Sequence, residues 1–323
     1  MGFDWEELLG AEGEDLMRAY EDSIPDYDAY SYRQEYDPYD DYWMAEEETE
    51  EMVDELVPLP YVSMDPGPKR DLAKRRLINP NYIRKTLKGE QYKCHLEQEM
   101  WTDADGEQWP KAGKLFHATD VIHALDHIRR QILYSHEKAV EFGLPPLLDS
   151  SEREIQLGIY NDIFLDNVDI PSITKLPNVW GPVTFVLDHD VLLSQTKTWS
   201  SRITKIDPWK IPTEKFHDLE CEDIFFTEES ELRDAIKKEG RGAFLKNSEH
   251  HTAVFDKGKL WIGRDLHAIY VDRCPDGSGK EKQVKALLEA ELQKARMGHV
   301  PVVIRTDVLQ TTAPCDELWR IPE

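Results

Sequence analysis

Residues 114–130, KLFHATDVIHALDHIRR, constrain this chain more than any other stretch. Leu115 and Phe116 read as a short buried strand that ends in an inward-pointing His117. Thr119 or Asp120 can cap the helix that follows, because a short polar side chain accepts from the open N–H groups of a first turn. Val121, Leu125, Ile128 and Ile132 then recur at i, i+4, i+7 and i+11, which is one buried helical stripe. A strand that turns directly into an amphipathic helix needs a sheet to receive that stripe, and the rest of the chain has to build it.

The downstream segments carry the pieces. Ser151 and Glu154 have capping-box spacing and open a segment read as helical, REIQLGIYNDIFLD. GPVTFVLD at 181–188 is a nearly continuous apolar run bounded by Gly-Pro and Asp, which predicts a centrally buried strand. SRITKIDPWKIP reads as a loop, CEDIFF at 221–226 as a short strand, and Thr227 as the cap of a helix with Glu228, Glu229 and Glu231 in its first turn. Segments 253–256 and 260–263 flank a Lys-Gly turn and predict a hairpin. A strand at 267–272, a helix at 281–297 ended by Gly298 and a strand at 300–305 complete the series. Short strands with interspersed helices and no internal repeat predict an α+β domain.

Composition matters here through its distribution. The formal charge is -25, but residues 1–60 hold 21 acidic and 2 basic side chains, leaving 43 acidic and 37 basic for the other 263 residues. After a possible helix at 4–22, the segment from Ser23 to Glu55 is rich in Asp, Glu and Tyr and poor in aliphatics, so alone it is expected to be disordered. It reads either as a solubilising tail or as a docking arm, a nucleic-acid mimic that binds a basic partner through its tyrosines and Trp43. Prolines 58, 60, 66 and 68 mark a linker, and the charge then reverses in KRDLAKRRLINPNYIRKTLKG. That basic stretch fits contact with a phosphate backbone, an internal clasp on the acidic arm, or a solvated helical face. The expected division is an acidic arm over 1–60, a basic connector over 61–112 and a folded domain over 113–323.

Cys94, Cys221, Cys274 and Cys315 lack CxxC spacing, which favours reduced thiols in a cytoplasmic compartment. No run approaches the roughly 18 apolar residues of a membrane span, and no secretion signal is read at the N-terminus. His123 and His127 are four apart on the predicted helix, as two zinc ligands can be, but Ala124 stands where HExxH requires Glu. Both lie off the apolar stripe and read as surface histidines, so no metal is expected. GxxxxGK[ST], GxGxxG after a strand and GxSxG are all missing.

LFHATD, with the order of elements after it, resembles the first signature of ADP-ribosyltransferase-like folds, in which a strand of the form L-[YFW]-H-[GA]-[ST] points its histidine at a ribose of NAD. The order is similar to that of the DNA-targeting ADP-ribosyltransferase toxins and their relatives, including RNA 2′-phosphotransferases, and covers about residues 114–310. The resemblance implies a split, mixed β-sheet and an NAD-dependent transfer of ADP-ribose to a macromolecule, nucleic acid among the options. It further implies that His117 hydrogen-bonds an NAD ribose, that Ser135 or Tyr160 contacts the nicotinamide side, and that Glu222, with Glu220 as close competitor, stabilises the nicotinamide ribose. Arg202 would pair with the pyrophosphate. The other class of function open at this point is a non-catalytic interaction protein acting through the acidic arm.

Overall fold

The computed structural model describes residues 78–89, 99–144, 154–155, 157–175, 178, 180–194, 201–212, 215, 219, 221–247, 249–254, 258–274, 277–306 and 319–321. One compact unit spans Arg70–Glu323. The acidic arm, the helix expected at 4–22, Glu220 and the Ser151 capping position lie outside the described residues.

The strands in chain order are β1 (Met100–Thr102), β2 (Gln108–Pro110), β3 (Ala112–Thr119), β4 (Ile132–Tyr134), β5 (Ile163–Val168) and β6 (Val183–Leu187). After them come β7 (Ser201–Ile203), β8 (Thr252–Val254), β9 (Lys259–Trp261), β10 (Leu266–Val271) and β11 (Val302–Ile304). Seven of them form one mixed sheet in the order β11-β10-β6-β3-β5-β8-β7, with β10 and β11 parallel and the other pairs antiparallel. With its helices this is an α+β architecture.

Both faces of the sheet are covered, and the sequence accounts for it. Every residue of β6 is buried, as its unbroken apolar run requires. On one face Leu115, Phe185 and Leu187 pack with Val121, Ala124, Leu125 and Ile128 of the helix Val121–Arg130 and with Val284, Leu288 and Leu292 of the helix Lys280–Lys294. On the other face Phe116, Val186, Ala268 and Tyr270 meet Trp101 and Trp109 of the β1–β2 hairpin. Ile78, Ile83 and Leu87, at and within the helix Pro80–Leu87, join the first core. Part of the basic connector therefore belongs to the same folded body as the strands after it.

Four expectations are corrected. CEDIFF is no strand: Cys221–Ile224 is one helical turn, and only Phe225 makes a single β-bridge, to Thr204. The IFLDNV part of the segment read as helical is β5, whose partly alternating burial fits a strand better than a helix. SRI, read as loop, is the fully buried edge strand β7. β8 and β9 form no hairpin; β8 pairs with β5 and β7, and β9 pairs with β4. Local turn chemistry was outweighed there by which partner could cover each apolar face.

Candidate functional site

β3 aims the central histidine. His117 lies two residues after Leu115, hence on the face that carries Phe185, its antiparallel partner in β6. Where the strand ends, Gly181 has φ +138°, and a Cβ there would collide with the Thr119 carbonyl, so only glycine lets the turn before β6 pass this close. His117 Nδ1 lies 3.0 Å from the Phe164 carbonyl oxygen of β5. A neutral ring donating from Nδ1 leaves a lone pair on Nε2. Burial outweighs the Phe164 hydrogen bond and the Asp166 charge and holds the His117 pKa below its ordinary value, so the ring is neutral at pH 7.

The helix after β3 adds two more imidazoles. Asp120 caps it by accepting from the His123 backbone N–H at 2.7 Å, and its other oxygen holds His123 Nδ1 at 2.8 Å. One turn on, His127 Nδ1 donates to the Ile132 carbonyl at 3.0 Å, with its ring 5.7 Å from that of His117 and 4.1 Å from that of Tyr134. Burial first, then the neighbouring imidazoles, hold the His127 pKa well below the usual histidine range. The expectation that His123 and His127 are surface residues is overturned, since each is 1% exposed. The chain returns through β4 and lays Tyr134 against the helix flank beside the aliphatic stripe, so this helix is buried on two sides.

These groups line an open cavity of about 770 Å³, a figure that includes the solvent space at its mouth. Ser135, N-cap of the helix His136–Glu141, also faces it, and the Ser135 backbone N–H donates to the Gly258 carbonyl at 2.9 Å. His136 Nδ1 is 2.7 Å from Glu154 Oε2, and His251 Nδ1 is 3.0 Å from Asp166 Oδ1. Phe164, Trp180 and Trp209 make an aromatic wall: Trp209 is centred 4.7 Å from Phe164 and 5.5 Å from Trp180. Asp162 completes the acidic set with Glu154 and Asp166, and no Lys or Arg is among the described residues lining the cavity. Burial pushes the Asp162 carboxyl up against the pull of Arg202, its buried ion-pair partner.

The chemical character follows from this arrangement. The neutral imidazoles of His117 and His127 and the carboxylates are hydrogen-bond acceptors, and the aromatic walls are flat and apolar. A ligand that fits supplies hydroxyl donors and a planar ring of positive character, since carboxylates and aromatic faces both attract cations. A highly anionic group would find no positive side chain among the described lining residues. Among the described residues no group of three or more His, Cys, Asp or Glu is placed to hold a metal ion, and no helix is long and apolar enough to cross a membrane.

Of the residues singled out in the sequence, His117 and Ser135 meet in the cavity. Tyr160 stands just behind it, its ring 6.4 Å from that of His136. Arg202 is buried on Asp162 with its guanidinium 3.8 Å above the Phe225 ring, so the role on a pyrophosphate is not retained. Glu222 sits exposed on its helical turn, outside the cavity lining, with its backbone carbonyl accepting from Lys205 Nζ at 2.6 Å. The reading that put its carboxylate beside the sugar relied on a strand that is not formed. Sequence reasoning missed Asp166 and His251, although an acidic residue inside an apolar strand and a histidine opening one (DNV and HTAV) are polar groups where polar groups are costly. No protein-family model matches this chain, and no curated protein matches it.

Proposed function

We propose that the cavity binds the nicotinamide–ribose part of NAD and that the domain is an ADP-ribosyltransferase-like enzyme acting on a macromolecular acceptor, nucleic acid being the class suggested by the resemblance. The observation that carries this reading is His117, neutral, anchored through Nδ1 and presented by a central strand to a cavity that also carries the carboxylates of Glu154, Asp162 and Asp166. Ribose hydroxyls supply the donors that Nε2 lacks. The nicotinamide ring of NAD is a flat cation, suited to carboxylates and to the Phe164–Trp209–Trp180 wall.

The chemistry places a demand that the cavity meets. Breaking the bond between ribose C1′ and the nicotinamide nitrogen builds positive charge on the sugar, as in glycoside hydrolysis. A carboxylate fixed nearby stabilises that charge, an effect worth roughly 10²–10³ in rate for a single preorganised group. Glu154 and Asp166, each oriented by an imidazole, take the role first assigned to Glu222 and Glu220. The test is release of nicotinamide from NAD, separated chromatographically. Turnover is expected in the native chain and in Glu222→Gln alike. NAD that stays intact with the native chain, or a Glu222→Gln variant with no activity, contradicts the reading.

A further inference from the structure

Five of the described histidines face this cavity, and one of them differs from the rest. His251 Nδ1 is fixed by Asp166, while its Nε2 is shielded from solvent and has no hydrogen-bond partner. A buried, unpartnered ring nitrogen costs free energy unless something else uses it. The seat is rigid. The His251 backbone N–H donates to Thr204 Oγ1 at 2.7 Å, the Thr204 N–H donates to the His251 carbonyl at 3.0 Å, and β8 continues from the next residue. The ring is also confined edge-on by Phe164 and Trp209, with centroids 6.3 and 6.1 Å away. His251 lines the cavity with one nitrogen held by a carboxylate and the other unpartnered, and a carboxylate-oriented imidazole of this kind takes protons from hydroxyl nucleophiles.

We propose that His251, positioned by Asp166, is the general base of the cavity, taking the proton from an O–H acceptor, water included, as that oxygen attacks ribose C1′. The new bond joins the acceptor oxygen to C1′, and the C1′–N bond to nicotinamide breaks. Its electron pair stays on the ring nitrogen, so nicotinamide leaves neutral, and the acceptor's proton resides on His251 Nε2. No further reactant is needed. This inference rests on the NAD reading above, but it assigns a residue and a proton path that the reading does not require.

The surroundings of His251 suit that task. The charged and titratable groups facing it are Asp166 from β5, Asp207 before the 3₁₀ turn Pro208–Lys210, and Glu249, which Lys210 pairs at 3.0 Å, with His117 across Asp166. Burial works to lower its pKa, but the Asp166 hydrogen bond and the three carboxylates outweigh burial and raise it. A base whose pKa is raised is a stronger proton acceptor once it is deprotonated. The rate therefore rises as pH climbs through the His251 pKa. Removing the Asp166 charge lowers that pKa and moves the acidic limb of the profile to lower pH.

The experiment uses the full chain, NAD as ligand and water as acceptor, with binding read by calorimetry and turnover by nicotinamide release. His251→Gln is expected to bind NAD within a few-fold of the native chain and to lose roughly 10²–10⁴ in kcat, the span of general-base contributions. Asp166→Asn is expected to reduce kcat and to shift the acidic limb downward, a displacement that a purely structural role would not produce. Native turnover in His251→Gln, or an unmoved limb in Asp166→Asn, overturns the proposal and leaves the NAD reading intact. Binding without nicotinamide release by the native chain contradicts the NAD reading and this proposal together. A native chain that neither binds nor cleaves NAD removes both.

Discussion

Replacing His117 with Phe is expected to lower nicotinamide release by roughly 10²–10³ in kcat/KM, the loss typical of removing one preorganised polar group from a site. Phe keeps an aromatic ring beside Phe185 and His127 but removes both nitrogens. The Nε2 lone pair disappears from the cavity, and the Phe164 carbonyl loses the donor that held it at 3.0 Å. Leaving that carbonyl without this partner costs about 1–3 kcal/mol, which a denaturant titration of the variant would register as a modest loss. Activity and stability thus separate. A variant that unfolds only slightly earlier yet releases nicotinamide at the native rate would show that the histidine fills space and does no more.

Arg305→Met is expected to cost about 3–5 kcal/mol of folding free energy, the range for stripping one partner from a buried ion pair. Arg305 is wholly buried, with Nη2 2.8 Å from Asp169 Oδ1 and Nη1 2.9 Å from Asp272 Oδ1. Asp169 follows β5 and Asp272 follows β10, so one guanidinium after β11 ties together the ends of strands on either side of β6 and β3. Without it two carboxylates stay buried, and neither can reach water without opening the sheet. Urea unfolding of the domain checks this, and adding Asp169→Asn and Asp272→Asn to Arg305→Met should restore part of the loss. A midpoint unchanged in Arg305→Met would mean that the carboxylates find other partners.

How much of this was legible beforehand varies with the kind of signal. β3, the helix after it and β6 were readable because each carries its own periodicity or an unbroken apolar run, properties of neighbouring residues. The hairpin expected at 253–263 failed because strand pairing is decided across the chain: β8 sits between β5 and β7, which flank it from nearly 90 residues before and about 50 residues before in sequence. CEDIFF failed through its two phenylalanines, which bury Phe225 and Phe226 from an irregular segment as well as a strand would. His117 was identifiable because it interrupts an apolar strand. The other four imidazoles were not, since His123 and His127 are buried by β4 from outside their helix, and His136 and His251 gain meaning only through Glu154 and Asp166. Arg202 was found as a functional-looking cation, yet its charge is consumed by Asp162, a partner 40 residues away.

The central claim is positional: one sugar is held between the His117 imidazole and the carboxylates of Glu154 and Asp166. Crystals of the protein soaked with NAD, or with nicotinamide riboside to limit turnover, test it most directly. Density for the ribose within hydrogen-bonding distance of His117 Nε2, with the nicotinamide ring against Phe164 and Trp209, is the result expected. A clear map with the cavity free of ligand at saturating concentration, or the nucleotide bound on the surface near Glu222, would contradict it.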